Sequence, residues 1–415
     1  MENQRWCGRF VEEWPGEGGA TPWAVEVLLR SAMGAVTGTD PAELPDAEPR
    51  RTAKDRAGDY ATALPLRTAR SLGASALELA EAMAAKLRSC PHVVEATVEG
   101  AGFVGIELTP RTRVSLVCGA AEGAGYLTGA VSRGRRPEGA EGPWKLSALH
   151  RAGDLAQAYR WAREDARRRM AAAVGGPAEG GPAKNVPNPS LAADIPFPAG
   201  DTEAGWRDPY LDAPLESGGE VGRLLTVIGA AAARIAFCRS VPEHPRPGEE
   251  TGPRLPALPT AEHPGDWIRH TDANPAFAIR YAHAHALSVR RWAREAGHAP
   301  GAVDPGQLTG AAVAALEEPS AAALLGAVFD GPGVLRTAAR RGAPHILVRY
   351  LESLAIAYHE WREDRSVSTG TTTGRAMADD ACRQAADAEL ELCAATAGVL
   401  RTGLSVIGVS APTRL

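Results

Sequence analysis

Arginines and flat rings, gathered toward the C-terminal third, are the side chains best suited to chemistry in this 415-residue chain. Arg280, Tyr281, Arg290, Arg291, Trp292, Arg349, Tyr350, Tyr358, His359, Trp361 and Arg362 fall within two stretches of helical character. Guanidinium groups hold phosphates and planar rings stack on unpaired bases, so this combination suits a single-stranded RNA loop. Amphipathic helices also bury such rings as core, and composition alone leaves the two readings even. A second cluster, Arg160, Arg163, Arg167, Arg168 and Arg169, has helical spacing but is interrupted by Glu164 and Asp165. That interruption favours a solvated face with i,i+4 pairs over a phosphate-binding stripe.

Other chemistries find little support. His283 and His285 form the one close histidine pair, yet ligands on one helix face stand three or four apart, so packing is expected and metal is not. The carboxylate pairs Glu12–Glu13, Glu249–Glu250 and Glu317–Glu318 lie beside loops and read as solvated caps. The chain contains no GxxxxGK[ST] phosphate loop, GxSxG elbow, HExxH or kinase motif set. Catalytic, cofactor-binding and metal-ligating residues are therefore all expected to be absent. A net charge of −5 excludes a globally basic coat for nucleic acid, and only four of the 45 basic residues are lysines. Six scattered cysteines without a CxxC pair read as reduced thiols, and the opening MENQRWCGRFVEEW lacks a signal-peptide core. Leu224–Cys238, the longest apolar run, is short for a bilayer and contains Arg234. Together these point to the cytoplasm.

The elements that must position the arginines and rings are mainly helices. Thr21 caps a helix with Pro22 at its first position. Asp59 to Cys90 reads as two helices, the first ending near Gly73 and the second opened by the Ser75/Glu78 capping box. Val93–Val98 and Phe103–Leu108, separated by Glu-Gly-Ala-Gly, read as a hairpin. The stretch Val114–Ala120 suggests a strand, LAQAYRWAREDARRRMAAAV a helix, and the Gly/Pro-dense run Gly175–Pro214 a loop. From Glu220 onward the pattern is helical: Glu220–Ser240, Pro264–Gly297, Pro305–Glu318, Ala321–Phe329, Gly333–Arg341, Pro344–Asp364 and Thr373–Leu400. Short connections predict a bundle of antiparallel neighbours.

Several of these segments resemble arginyl-tRNA synthetases. Asn274-Pro-Ala-Phe-Ala-Ile-Arg-Tyr-Ala-His-Ala-His285 is similar to the NPxxYxxYAHAR segment that opens that family's anticodon-binding domain. Ile228–Ser240 resembles the VGxDAARxxxLxRS helix, and Asp266–Asn274 the linker between that helix and the anticodon-binding domain. Tyr350–His359 looks like YLxxLAxxFH, and Gly403–Leu415 like GLxLLGISAPERM. Near the start, Gly58-Asp-Tyr-Ala-Thr62 and Gly102-Phe103 resemble GDYATN and GPGFINxxL of the family's additional N-terminal domain. Ala63, Ala278, His285 and Leu415 depart from those patterns.

The family's ATP-binding signatures, HIGH and KMSKS, have no counterpart. No His-x-Gly-His occurs, Asp208–Gly219 contains no lysine, Lys145 stands too far upstream, and only Thr109–Arg113 lies near the expected start of an active site. The resemblance thus implies a multidomain, mainly α protein. Residues 1–49 are an N-terminal extension, 50–112 a small α+β domain, and 113–215 a reduced or replaced catalytic region. A helical connector at 216–270 leads to an all-α anticodon-binding-type bundle at 271–415. The function it implies is non-catalytic binding of tRNA, with tRNA-Arg one candidate. Tyr60, Asn274, Arg280, Tyr281, His283, Arg290, Tyr350, Tyr358, His359 and Trp361 are the implied RNA-binding residues. The alternatives are an ATP-using arginine–tRNA ligase relative, for which ATP would be the cofactor, and a scaffold that binds protein. Neither DNA nor a membrane is an expected partner.

Overall fold

The computed structural model describes residues 19–52, 58–121, 124–129, 149–175, 219–246, 248–297, 308–369 and 380–414. The Gly175–Pro214 run beyond its first residue, the lysine-free Asp208–Gly219 stretch before Gly219, Lys145 and the expected helix starts at Pro305 and Thr373 lie outside those residues. Two compact units emerge. The first comprises 1–121, 300–333 and 369–392; the second comprises 122–299, 334–368 and 393–415.

In the first unit, α1 (Pro22–Thr37) opens as expected, with the Thr21 hydroxyl accepting from the Ala24 amide. Its apolar positions Val25, Leu28, Leu29 and Met33 recur with helical period and are buried. They share a core with Ala80, Met83, Ala84 and Leu87 of α3 (Ala76–Arg88), whose Ser75 cap accepts from Glu78. Between them, α2 (Leu64–Leu72) ends at Gly73. The helices cover one face of a four-stranded antiparallel sheet of β1 (Arg50–Arg51), β2 (Tyr60–Thr62), β3 (Val93–Glu99) and β4 (Phe103–Leu108). Strand order is β1-β2-β4-β3, with Tyr60 opposite Ile106 and Glu99 opposite Phe103.

Two local expectations need correction. The first helix after Asp59 starts only at Leu64, because Tyr60–Thr62 pairs with β4 and the Thr62 hydroxyl accepts from the Leu64 amide. The Val114–Ala120 strand is instead the end of α4 (Pro110–Val114) and all of α5 (Leu116–Ala120). The Thr109 hydroxyl caps α4 with Pro110 in its first turn, and that start outweighs the β-branched character of Val114 and Val117. The unit is completed by α10 (Gly310–Glu317), the first part of α11 (Pro319–Arg341) and the start of α13 (Asp380–Val406). The two helices expected at Ala321–Phe329 and Gly333–Arg341 are one, α11, with Pro332 inside it.

The second unit holds α6 (Ala124–Thr128), α7 (Leu155–Ala173), α8 (Glu220–Arg239), α9 (Pro275–Glu295), most of α12 (Pro344–Thr369) and the rest of α11 and α13. Leu155, Ala158, Tyr159, Ala162, Ala166 and Met170 form the buried face of α7, packed on α8. By length and composition α8 could cross a bilayer, at a mean hydropathy of 1.6 over its best window. Most of that window is buried inside the protein, and α8 is kinked at Gly229. A short hairpin, β5 (Glu250–Gly252) with β6 (Leu255–Pro256), and a 3-10 turn at Gly265–Ile268 lead from α8 into α9.

Candidate RNA-binding site

The arginines of α7 are bound inward. Asp165 accepts from Arg169 Nε at 2.8 Å and pairs with Arg234 of α8, and all three side chains are largely buried. Burial pushes the Asp165 carboxyl up, but the Arg234 and Arg169 guanidiniums outweigh it and its pKa is lowered. Arg163, 1% exposed, donates to the Phe237 and Ser240 carbonyls, and with Arg167 it grips Glu243. The i,i+4 pairing expected of this cluster is present between Arg169 and Asp165, within a buried network and not on a solvated face. Arg234 also donates to the Ile407 carbonyl. Gly408, at φ +75°, leaves the space its guanidinium fills; a Cβ there would lie 2.5 Å from Nη2.

The rings behave differently. Phe277, Tyr281 and His285 stand four apart on α9, and this spacing puts them on one face. His270 stacks on Phe277 (centroids 5.8 Å apart, planes 11° apart), Phe277 on Tyr281 (5.4 Å, 11°) and Tyr281 on His359 of α12 (5.4 Å, 18°). His285 tilts against Tyr281 and meets Trp292 and Tyr358 edge-on. The result is a ladder in which His270, Phe277, Tyr281 and His359 are near-parallel and His285 and Trp292 are turned; its α9 part, Phe277 to Trp292, runs about 22 Å along the helix. Tyr281 is 38% exposed and Trp292 53%, so two large rings present surface to solvent.

The ladder is set from below. Asn274 caps α9: its side-chain oxygen accepts from the Ala276 amide, and its nitrogen donates to the Trp267 and Arg269 carbonyls at 2.8 Å each. His283 is buried on another side of α9 and donates from Nδ1 to the Pro412 carbonyl at 2.9 Å. The neighbouring histidines of 282–285 therefore part ways, one into the core and one into the ladder. His285 Nδ1 shares a 2.9 Å hydrogen bond with the buried Tyr358 hydroxyl. Burial lowers the His285 pKa, helped by the Arg362 and His359 charges, and burial likewise lowers that of His359. Burial raises the Tyr358 phenol far above its ordinary range.

Of the residues implied by the resemblance, Tyr281 and His359 lie in the ladder and Arg280 flanks it, half-buried. Arg290, nine residues beyond Tyr281, emerges on the opposite side of α9 at about 100° per residue. Asn274, His283, Tyr350, Tyr358 and Trp361 are buried in the second unit; Asn274 caps the helix that carries the rings, Tyr358 bonds to His285, and Arg362 lies 5.7 Å above the Trp361 ring. Tyr60 is buried in the first unit, stacked on Phe329. The resemblance passed over His270 and Phe277, and took His285 only as a departure; the 277–281–285 spacing was the signal that could have found the ladder.

Comparison with known proteins places both ends of the chain. A family model described as the DALR anticodon binding domain matches residues 279–415, and one described as the arginyl tRNA synthetase N terminal domain matches residues 25–108. The arginine–tRNA ligase of Bifidobacterium longum is 35% identical over 158 residues, covering 35% of this chain and 24% of the relative. That of Ralstonia nicotianae is 39% identical over 155 residues, covering 36% and 23%. The alignments thus span about a quarter of these curated relatives. Among solved structures, Thermus thermophilus arginyl-tRNA synthetase is similar at 14% identity and a TM-score of 0.46, covering 95% of this chain and 100% of that one.

Proposed function

Since the chain belongs to the arginyl-tRNA synthetase family, we propose that it is a non-catalytic member that holds tRNA, or an RNA folded like it, by stacking unpaired loop bases on the ring ladder. The observation that carries this reading is the ladder itself: Tyr281, His285, Trp292, Tyr358 and His359 lie within the residues matched by the anticodon-binding model, and His270 and Phe277 lie just before them. Every base has a π-face, and the ring surface that Tyr281 and Trp292 leave open to solvent suits an unstacked loop, each base–ring stack contributing about 1–3 kcal/mol. Arg280 and Arg291, on the same flank of α9, are placed to meet the phosphates that connect such bases.

The absence of catalysis rests on the chain's own residues. Amino-acid activation needs positive or hydrogen-bonding groups aimed at the charge that develops on the α-phosphate, and removing one such group costs on the order of 100-fold or more in rate. The sequence between the two matched segments contains neither His-x-Gly-His nor a KMSKS-like lysine run. ATP is accordingly not assigned as a cofactor, and a cytoplasmic location follows from the proposed partner. A scaffold reading has one observation in its favour: Ile268 and Ile356, close in sequence to His270 and His359, are exposed.

Filter binding of purified tRNA at low salt, run beside ATP–pyrophosphate exchange with arginine, tests both halves. The expected result is a Kd tighter than about 10 μM that weakens steeply with salt, with no exchange. Arginine-dependent exchange by the purified protein would overturn the non-catalytic half; failure to bind any tRNA would leave the scaffold reading.

A further inference from the structure

We propose that Tyr60 and the arginines around it form a docking surface whose partner is the segment 308–330 of the same chain. The N-terminal α+β module and the α10–α11 corner are thereby held as one body. This inference is independent of RNA binding, and its test uses no RNA. Both sides of the contact lie within the first unit.

At its centre the Tyr60 ring stacks on Phe329 of α11 with centroids 4.1 Å apart and planes 29° apart. Tyr60 is 4% exposed and Phe329 2%. Around this stack, three arginines reach from the N-terminal side to acceptors on the other. Arg51 of β1 donates from Nε to Asp330 Oδ2 at 2.8 Å, with Nη2 2.5 Å from the same oxygen. Arg111 donates from Nε to the Leu308 carbonyl at 3.0 Å. Arg113 bridges Asp59 Oδ1, at 2.7 Å, and Glu317 at the end of α10. Asp59 is fixed in turn by the Leu108 amide, which donates to its Oδ2 at 2.8 Å.

The surface is shaped as well as charged. A Cβ on Gly326 would sit 2.2 Å from Arg51 Nη1 and 2.9 Å from its Cδ, so the missing side chain of α11 is the notch through which the guanidinium reaches Asp330. An aromatic stack, a ring of oriented arginines and a matching notch together specify one register of contact. The residues at 58–62, which resemble a signature of the family's N-terminal domain, are thus committed to cohesion within the chain. Tyr60 acts as a docking anchor, and its phenol is buried against Phe329.

Hydrogen exchange of the full-length chain tests this with a charge swap. Arg51→Asp and Asp330→Arg are each expected to speed exchange on both sides of the contact, at Arg50–Arg51 and Tyr60–Thr62 and across 310–333, by about tenfold or more. Amides of α3 and β3, which belong to the module's own core, are expected to keep their protection. The double variant, with the pair reversed, is expected to return both segments to within about threefold of the parent. Tyr60→Phe is expected to retain protection, because the stack needs the ring and not the hydroxyl. The proposal is overturned if Arg51→Asp leaves 310–333 unchanged, or if the reversed pair fails to restore the loss either substitution causes.

Discussion

Asn274 shows how one side chain can set the position of an aromatic surface it is not part of. It terminates the linker, caps α9 and ties the Trp267 and Arg269 carbonyls to the helix start, so it sets where Phe277 and Tyr281 emerge. Asn274→Ala removes a cap and two carbonyl partners. A loss of about 2–3 kcal/mol is expected, measured as a lower urea midpoint at unchanged slope. Tyr281 is the contrasting case: it stacks on Phe277 and His359 and still leaves ring area to solvent. Asp165 holds two buried guanidiniums, and Asp165→Ala would leave Arg169 and Arg234 without their carboxylate. The expected cost is about 3–5 kcal/mol, checked by the same titration; a loss below about 1 kcal/mol would show that the network contributes little.

The helices themselves were readable from apolar spacing and caps. Thr21 with Pro22 and Ser75 with Glu78 each mark a real helix start, whereas the helix expected from Pro264 begins only at Pro275, where Asn274 caps it after a 3-10 turn. What periodicity could not supply is which polar residues turn inward. Arg163 and Arg169 read as surface because arginine usually is, and only the facing carbonyls and carboxylates of other segments make their burial tolerable. Tyr60 carries no local mark of its partner, since Phe329 lies far along the chain. Pro332 stays inside α11 although it cannot donate to the helix, where sequence alone suggests a break. The pairing of α9 with α12 has a pH consequence. His285 and His359 have folded pKa values lowered by burial, so the stability they permit is complete above the unfolded value near 6.5 and is lost as pH falls through 6.5 toward the lowered folded values. The urea midpoint is expected to drop between about pH 7.5 and 5.5, and His285→Gln to reduce that drop. An unchanged slope in the variant would place the titration elsewhere.

For the molecule as a whole, the family match covers two separated segments, and the sequence between them contains neither His-x-Gly-His nor a KMSKS-like lysine run. An overall charge of −5 sets a further constraint. On the proposed reading, affinity for RNA comes from a local patch in which stacking is prominent, because the long-range field does not attract a polyanion. The most direct measurement is binding of the full-length protein to an RNA hairpin with an unpaired loop, set against the same stem closed as a duplex, for the parent and for Tyr281→Ala. Ring stacking predicts that the hairpin is preferred and that Tyr281→Ala weakens hairpin binding by about 5- to 100-fold while duplex binding is unchanged. Equal affinity for hairpin and duplex, or a hairpin affinity indifferent to Tyr281, would contradict it.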